Sequence, residues 1–420
     1  MKVLVVGQGG REHAIVRALS LSPSVEQIHV IPGNPGMSQQ AHCHSIDWKD
    51  FSAMTKFCLD NQIDFVFIGP EDPLVLGLAD VLRERGLYVV GPNKEAARLE
   101  GSKVFAKHFM SEAQIPTARF AEVTSVQQVM AKASQFTPPY VLKADGLAAG
   151  KGVVICDNLD ELKSAGIDFF EKKTLGVAGQ QALLEQFTEG WELSYLVLTN
   201  GSEYCPLPIA QDHKRLQDHH KGPNTGGMGT VAPIAVSSDL IDQINRQIVE
   251  PTVKLIHEKG IVYRGIIFFG IMVTKQGPSL LEFNCRFGDP ETQVILPLIE
   301  GDTAQIFYKL SKGQLVQIKS KNLCSCCVVM AAPGYPQHPE KGVLIHGDVR
   351  SETASSYFIH SGTGKNANGD WITNGGRVLG AVGLGTTLNE ARVQAYQLVK
   401  KVKWQGLQFR TDIGSSFTSP

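Results

Sequence analysis

The segment Leu281-Glu282-Phe283-Asn284-Cys285-Arg286-Phe287-Gly288-Asp289-Pro290-Glu291 carries the densest set of chemically useful side chains in the sequence. Read as a strand, its period of two sends Glu282, Asn284 and Arg286 to one face and Leu281 and Phe283 to the other. A carboxylate and an amide oxygen are suitable ligands for Mg2+ or Mn2+ bridging substrate phosphates. The arginine beside them would meet developing negative charge. The plain alternative is the polar outer face of an edge strand.

A second segment, Lys143-Ala144-Asp145-Gly146-Leu147-Ala148-Ala149-Gly150-Lys151-Gly152, sets lysines around a turn of small residues. It is not a Walker A loop, because Gly146 and Gly150 stand too close together and Gly152 replaces the Ser or Thr that would touch magnesium. As a β-hairpin flap it would bring backbone N–H groups and lysines to triphosphate oxygens. Leu184-Glu185-Gln186-Phe187-Thr188 then closes the next strand, and Glu192 follows across Gly190.

A third segment, Gly7-Gln8-Gly9-Gly10-Arg11-Glu12, follows the first apolar run. A dinucleotide fingerprint would need Gly at position 12 and an acid after the second strand, where Pro32-Gly33 stands instead. What is left is a turn into a helix N-terminus with Arg11 in its first turn, suited to a phosphate monoester. The alternative is an ordinary turn with a surface arginine. His213, beside Asp212, is either a proton shuttle or a solvated loop histidine, and no nucleophilic Ser or Cys is nominated.

These segments need particular elements to hold them. Strands at Lys2 to Val6, Gln27 to Ile31, Asp64 to Ile68 and Tyr88 to Val90, with helices at Glu12 to Ser20 and Leu74 to Glu84, predict a parallel sheet covered on both faces. Ligands bind at the carboxyl ends of such strands, which here are Gly7 to Arg11, Pro32 to Gly36 and Gly69 to Asp72. After the break at Gly91-Pro92-Asn93 comes a helical stretch from Lys94 to Ser111. Strands at Tyr140 to Lys143, Gly152 to Cys156, Gln181 to Glu185 and Leu193 to Leu198 then form a small α+β module of the size of a lid. A helix and an antiparallel hairpin turning at Lys275-Gln276-Gly277 run from Glu250 to Phe283. The tail from Cys324 reads as short strands and a helix at Leu388 to Lys401, and its Asn374-Gly375-Gly376-Arg377 either closes over the substrates or makes a rim turn. The fold class is therefore α/β and α+β multidomain: residues 1–100, then 101–323 with a lid at about 120–190, then 324–420.

Composition narrows the function. With 40 Lys+Arg against 41 Asp+Glu in 420 residues, the net charge of -1 gives no bulk attraction to nucleic acid or anionic membrane. The N-terminal apolar run is too short for a signal peptide, and Ile266 to Val273 is too short to cross a bilayer. A cytoplasmic protein without membrane or nucleic-acid partners is expected. Cys324, Cys326 and Cys327 lack a paired metal motif and read as reduced, packed thiols.

Together these residues resemble the ATP-grasp superfamily. VLVVGQGGREHA, LEGSKVFAK, VLKADGLAAGKGVV, QDHKRLQD, KGPNTGGMGTVAP, LLEFNCRFGDPETQ and NGGRVLG are similar to segments of its purine-biosynthetic members that join glycine to 5-phosphoribosylamine. The resemblance implies formation of glycinamide ribonucleotide, ADP and phosphate by a monomer using Mg2+ or Mn2+. It implies that Lys103 and Lys143 contact ATP phosphates under the loop of Gly146, Gly150, Lys151 and Gly152. Glu185, Gln186, Phe187 and Thr188 would flank adenine, and Glu192 would hold the ribose. Glu282 and Asn284 correspond to metal ligands, while Asp212, Asn224, Thr225, Gly226, Gly227 and Arg286 would surround glycine and the reacting acyl group. Gly9, Gly10, Arg11, Glu12, Gly33, Asn34, Gly36 and Glu71 would take the phosphoribosyl moiety. Gln186 and Trp191 stand where the family more often has an acid. Gly270 stands where many of its enzymes have a further carboxylate, so a second metal would rest on Glu282, water and phosphate. The competing readings are a ligase for another acid or amine, a silent nucleotide binder and a Rossmann oxidoreductase.

Overall fold

The computed structural model describes residues 1–147 and 152–415, and only the backbone of Val177. Gly150 and Lys151 of the expected flap lie outside the described residues.

Continuous apolar runs build the N-terminal sheet. Strands β1 (Lys2–Gly7), β2 (Gln27–Pro32), β3 (His42–Cys43), β4 (Phe65–Ile68) and β5 (Val89–Val90) are parallel in the order β3-β2-β1-β4-β5. Val3 and Val5 pack into one covering layer, Leu4 and Val6 into the other. Each such burial contributes about 1.5–3 kcal/mol. Helices α1 (Gly10–Ser20), α2 (Phe51–Asp60), α3 (Glu71–Leu76), α4 (Leu78–Glu84) and α5 (Lys94–Gly101) accompany the sheet. The helix expected over Leu74 to Glu84 is split at Gly77, whose φ of +93° is left-handed. The helix expected over Lys94 to Ser111 breaks at the extended Ser102, which starts α6 (Lys103–Glu112) by accepting from Phe105 N–H. The order reverses between β1 and β4, so the loops after Gly7 and Ile68 flank the crevice where such sheets take ligands.

Strands β6 (Phe120–Val123), β7 (Tyr140–Ala144), β8 (Val153–Cys156) and β9 (Ala182–Gln186) form an antiparallel sheet in the order β6-β9-β7-β8. Helices α7 (Val126–Ala133) and α8 (Leu159–Gly166) back it, with a core of its own built on Val129, Leu142, Leu162 and Leu184. The strand expected there at Leu193 to Leu198 belongs elsewhere. As β10 (Trp191–Thr199) it pairs with β11 (Tyr204–Pro206) and β16 (Gly265–Thr274), and β16 pairs with β17 (Gly277–Asn284).

Strands β12 (Gln211–Asp212) and β15 (Gly229–Ala232) continue into a third sheet with β18 (Cys324–Ala331), β20 (Ser356–His360) and β23 (Arg377–Gly385), ordered β12-β15-β18-β23-β20. Short pairs complete it: β13 (Arg215–Gln217) with β14 (Lys221–Asn224), β19 (His346–Gly347) with β24 (Val402–Lys403), and β21 (Thr363–Lys365) with β22 (Trp371–Thr373). Helix α9 (Ser238–Ile244) packs on β17, α10 (Glu250–Glu258) adds Val253 and Ile256 to the same core, α11 (Glu291–Ile295) and α12 (Thr303–Ser311) follow β17, and α13 (Leu388–Val399) covers β18 and β23. The C-terminal sheet thus starts with strands from before residue 323, and one apolar core runs from Phe109 through Phe269 to Leu398. Cys326 and Cys327 are buried and free.

Candidate active site

The register of the small sheet decides which side chains face the cleft. Lys143 lies opposite Val153 and Leu183, and Val141 opposite Ile155 and Glu185, so these share one face. Tyr140, Leu142 and Leu184 pack the other. The cleft face therefore carries Lys143 and Glu185 beside Val153 and Ile155, exposed apolar side chains that suit a flat ring.

Glu185 is buried, and its Oε2 sits 3.0 Å from Lys143 Nζ and 3.2 Å from Lys107 Nζ. Its Oε1 is buried without a hydrogen-bond partner. Lys107 also donates to Thr117 Oγ1 at 2.8 Å and Ala118 O at 3.2 Å. The residue was missed in sequence, although Lys103 and Lys107 are one helical turn apart. Burial pulls Lys107 down to about 8, opposed by Glu185. Lys103 donates to Gly146 O at 3.2 Å; burial lowers its pKa and the Glu282 carboxylate opposes this. Asp145 accepts from Val104 N–H at 3.0 Å and from Ser102 Oγ at 3.1 Å, pinning the base of the flap to the α6 N-terminus.

The strand exit departs from expectation at Gln186. Its N–H donates to Arg119 O at 2.9 Å, and its side chain pairs with the Thr137 backbone, so that N–H serves the sheet and not an adenine. Phe187 and Thr188 are half-buried beyond it. Gly190 is required at the crossing, since a Cβ there would lie 2.3 Å from Val273 O.

Across the cleft, Ser194, Gly270 and Glu282 stand side by side on β10, β16 and β17. Glu192, two residues from Ser194, shares their face. Gly270 leaves room for Glu282, because a Cβ at 270 would lie 3.1 Å from Glu282 Cγ. Glu282 is exposed and Asn284 half-buried, but the expected partner on the opposite face is corrected. A bulge puts Leu280 and Phe283 in the core and leaves Leu281 half-buried outside it. Packing of protein around Glu192 pushes its carboxyl up, with Lys214 opposing. Among the described residues no group of three or more His, Cys, Asp or Glu is gathered as a metal site. Glu282 and Asn284 are hard oxygen donors and fit Mg2+ or Mn2+ completed by phosphate oxygens.

Beyond β17 a second charged cluster forms. Asp212 Oδ2 lies 2.6 Å from Lys214 Nζ, and Asp212 Oδ1 accepts from His213 N–H at 2.7 Å. Burial opposes the charge on Lys214, but Asp212 and Glu291 hold it protonated. Glu291 is buried, accepts from Ser194 Oγ at 2.9 Å, and is pushed up by desolvation. Lys214 and Glu291 were both missed; Lys214 was findable two residues beyond Asp212 on an alternating segment. Gly227, at φ +110°, carries no Cβ because one would come within 2.6 Å of Asp212 Oδ1. Asn224 and Gly226 are exposed, and Thr225 N–H and Oγ1 both donate to Lys214 O at 2.8 Å. His213 is no solvated loop residue: it is buried, with Nδ1 3.0 Å from Gly229 O. Arg377 donates to Gly226 O at 2.5 Å, to Asp289 O at 2.7 Å and to Asp289 Oδ2 at 2.9 Å. The Asn374 to Arg377 turn therefore reaches the site and is more than a rim.

Arg286 leans toward the N-terminal sheet. Its Nε lies 3.1 Å from Glu71 Oε2 and its Nη2 2.6 Å from Glu100 Oε1, and these contacts tie the chain leaving β17 to α3 and α5. Burial pushes Glu100 up to about 7 against the pull of Arg286. Glu71 is held down at about 2, because Arg286 and Arg11 outweigh its burial. Glu100 was missed in sequence, where it reads as a helix-end acid.

The Gly9 to Glu12 loop differs from a bare phosphate cradle. Gly9 N–H donates to Glu12 Oε2 at 2.7 Å, so this donor is occupied by the chain's own carboxylate. Gly7 and Gly69 make space for that side chain; a Cβ at Gly69 would lie 2.2 Å from Glu12 Oε1. Arg11 is buried, not a surface arginine, with Nε 2.5 Å from Glu12 Oε1 and Nη1 3.6 Å from Glu71 Oε2. Gly10 abuts Ser361 and Gln293. Asn34 Nδ2 donates to Gln8 O at 2.8 Å and His360 O at 3.1 Å, and its Oδ1 accepts from Gly36 N–H at 2.8 Å. Asn34 thus ties loops together. Gly33 packs on Cys43 and Gly36 on the His360 ring.

A small antiparallel sheet with lysines and an apolar face, set over a larger sheet that presents Glu282, Asn284 and Glu192, defines an ATP-grasp protein. Residues 101–292 match the ATP-grasp (A) domain of phosphoribosylglycinamide synthetase, residues 1–100 its N domain and residues 325–416 its C domain. The phosphoribosylamine–glycine ligases of Vibrio parahaemolyticus and Caldanaerobacter subterraneus are each 40% identical over 420 residues, covering 99% of this chain and 98% and 100% of theirs. The solved phosphoribosylamine–glycine ligase of Thermotoga maritima superposes with a TM-score of 0.86 at 35% identity, covering 98% of this chain and 100% of that one. The biotin carboxylase domain of Hydrogenobacter thermophilus 2-oxoglutarate carboxylase, at 17% identity and TM-score 0.76 over 97% of this chain and 91% of its own, shares the fold. The chain belongs to the phosphoribosylglycinamide synthetase family. No described helix is long and apolar enough to cross a membrane.

Proposed function

We propose that the chain ligates glycine to 5-phosphoribosylamine at the expense of ATP, through glycyl phosphate, giving glycinamide ribonucleotide, ADP and phosphate in purine biosynthesis. One observation carries this reading. Lys103 and Lys143 gather with Glu282 and Glu185 in one cluster, and the Asp212–Lys214 pair joins it through Glu192.

A carboxylate is a poor electrophile, so a glycine oxygen first takes the γ-phosphoryl group. ADP leaves with the electron pair of the broken P–O bond. Lys103 and Lys143 neutralise the phosphates, while Val153 and Ile155 cover the adenine and Glu192 takes the ribose hydroxyls. A bound Mg2+ or Mn2+, held by Glu282 and Asn284, supplies charge neutralisation at the phosphates. Asp212 faces the glycine ammonium and Lys214 its carboxylate. The phosphoribosylamine nitrogen then attacks the carbonyl carbon. The oxyanion meets the positive field of Arg286, because the N–H groups expected of the 224–227 loop are engaged within the chain: Thr225 N–H donates to Lys214 O, Gly226 N–H to Tyr335 Oη and Gly227 N–H to Thr225 Oγ1. Collapse expels phosphate, and the leaving phosphate takes up the proton lost by the amine. Arg11, Gly10 and Glu71 take the phosphoribosyl group, with Gly33 and Gly36 shaping the neighbouring loop. The lid, about 120–190, closes over the acyl phosphate and excludes water. We place the unit boundaries at 100/101 and 323/324. The active form is a monomer in the cytoplasm.

The test is ADP formation from ATP and Mg2+ with glycine and phosphoribosylamine generated in place, with the product identified by mass. Glycinamide ribonucleotide that requires all three substrates is expected. Stimulation by another acid or amine instead would overturn the substrate assignment, and no ADP with any pair would overturn the ligase reading.

A further inference from the structure

The glycine loop from Asp212 to Gly229 is poorly supported by its own strands. β13 and β14 form an isolated two-stranded ribbon with a register irregularity, an arrangement that is marginal alone. At its tip His219 and His220 adopt φ of +58° and +57°, which side-chain-bearing residues rarely take. Something outside the ribbon must hold it.

The stretch Arg410 to Gly414 does so from behind. Asp412 Oδ2 accepts from His219 N–H at 2.8 Å, at the strained tip. Asp218 Oδ1 accepts from Thr411 N–H at 2.8 Å and Asp218 Oδ2 from the Thr411 hydroxyl. Arg410, 0% exposed, donates to Arg215 O at 3.2 Å and forks onto Asp412 at 2.7 and 2.8 Å. At the base of the loop, Gly414 N–H donates to His213 Nε2 at 3.2 Å, while His213 Nδ1 reaches Gly229 O at 3.0 Å. His213 is thus neutral with its proton on Nδ1. Ile413 fills the space over Gly229, where a Cβ would come within 2.7 Å of it. The stretch is itself fixed to α13: Tyr396 Oη donates to Arg410 O at 2.8 Å, and Arg392 Nε donates to Ile413 O at 2.7 Å.

We propose that Arg410 to Gly414 is a strap that positions the glycine loop, with Arg410, Thr411 and Asp412 as positioning residues for the reaction. The kinetic part rests on the reading above that this loop holds glycine. The strap touches the loop at Arg215, Asp218, His219 and His213, on both sides of Lys214. Its removal therefore displaces Asp212, Lys214 and Gly227 together, while the nucleotide side of the cleft, built on β7, β9 and α6, is left in place.

The test compares the full chain with Asp412→Asn, which weakens the fork, and with the milder Thr411→Val, which removes only the hydroxyl on Asp218. For Asp412→Asn the glycine KM is expected to rise roughly ten-fold, the scale of one charge-assisted bond. The ATP KM should stay within about two-fold, and amide exchange should quicken across 215–228 but not in β7 or β9. Thr411→Val is expected to shift both readouts the same way by a smaller factor. Unchanged glycine KM with a lower kcat and a lower melting temperature would mark a merely structural role and overturn the proposal. Unchanged exchange across 215–228 in both variants would overturn it as well, whatever the substrate. A wild-type chain without glycine-dependent turnover would overturn the functional reading instead, leaving the exchange result to decide the strap.

Discussion

Lys107 and Lys143 share the single carboxylate of Glu185, and this makes ATP binding sensitive to a residue that touches no phosphate. Burial brings Lys107 down to about 8, so above about pH 8 it loses its proton and Lys143 is drawn more tightly to Glu185. The wild-type ATP KM is expected to climb several-fold through that range. Lys107→Met should start high at about pH 7 and stay flat; a profile that tracks wild type would contradict the shared-carboxylate arrangement. Arg286 poses a similar question with the opposite charge. Its removal leaves the buried Glu100 side chain without its partner and Glu71 with only the more distant Arg11. Arg286→Met is expected to cost about 3–5 kcal/mol at about pH 8. The loss should shrink toward about pH 5, because Glu100, pushed up by burial, takes up its proton there and the native form gains it first. Turnover should be lost with ATP binding kept within a few-fold. A stability loss independent of pH, measured by chemical denaturation, would argue against the carboxylate cluster. In the sequence Arg286 was legible from strand alternation. Glu100, Lys107 and Glu291 were not, because each gains its role only where distant segments meet, whereas Lys214 could be read from its spacing to Asp212.

At the level of elements, the crossing at Gly190 is the mechanical link between the lid sheet and the central sheet. A side chain there must displace the Val273 carbonyl, 2.3 Å away. Gly190→Ala is expected to destabilise the protein by about 1–3 kcal/mol and to raise the ATP KM by splaying β9 from β10. An unchanged ATP KM would show that the hinge does not set the lid. ATP is also expected to slow amide exchange in β7 and β8, and no change would count against closure. The strands were readable because their apolar runs are continuous, as in Val3 to Val6 and Ile266 to Phe269. Their partners were not. Nothing local in Leu193 to Leu198 says that it pairs with β16 and not with the lid, and only register reveals the bulge that moves Leu281 out of the core. Breaks at Gly77 and Ser102 depend on single dihedral angles inside otherwise helical spacing.

For the molecule as a whole, the units interlock. An apolar cluster runs from Val5 in β1 through Phe287 to Val329 and Ile359, while the lid keeps a separate core. One cooperative transition is expected for β1, β16 and β18 by hydrogen exchange, with the lid strands exchanging through a lower-energy opening. Independent melting of the N-terminal sheet would contradict that coupling. This arrangement leaves the cleft bounded by Glu282, Asn284 and the Asp212–Lys214 pair on the side of the central sheet and by Lys143 on the side of the small sheet. Its central consequence is that a glycine oxygen, and not the amine, is the phosphoryl acceptor. The direct measurement uses glycine labelled with 18O in its carboxylate, together with ATP, Mg2+ and phosphoribosylamine. The result expected is one labelled oxygen in inorganic phosphate and the other in glycinamide ribonucleotide, with ADP as the only nucleotide product. Unlabelled phosphate, or label passing into AMP, would contradict the acyl-phosphate route.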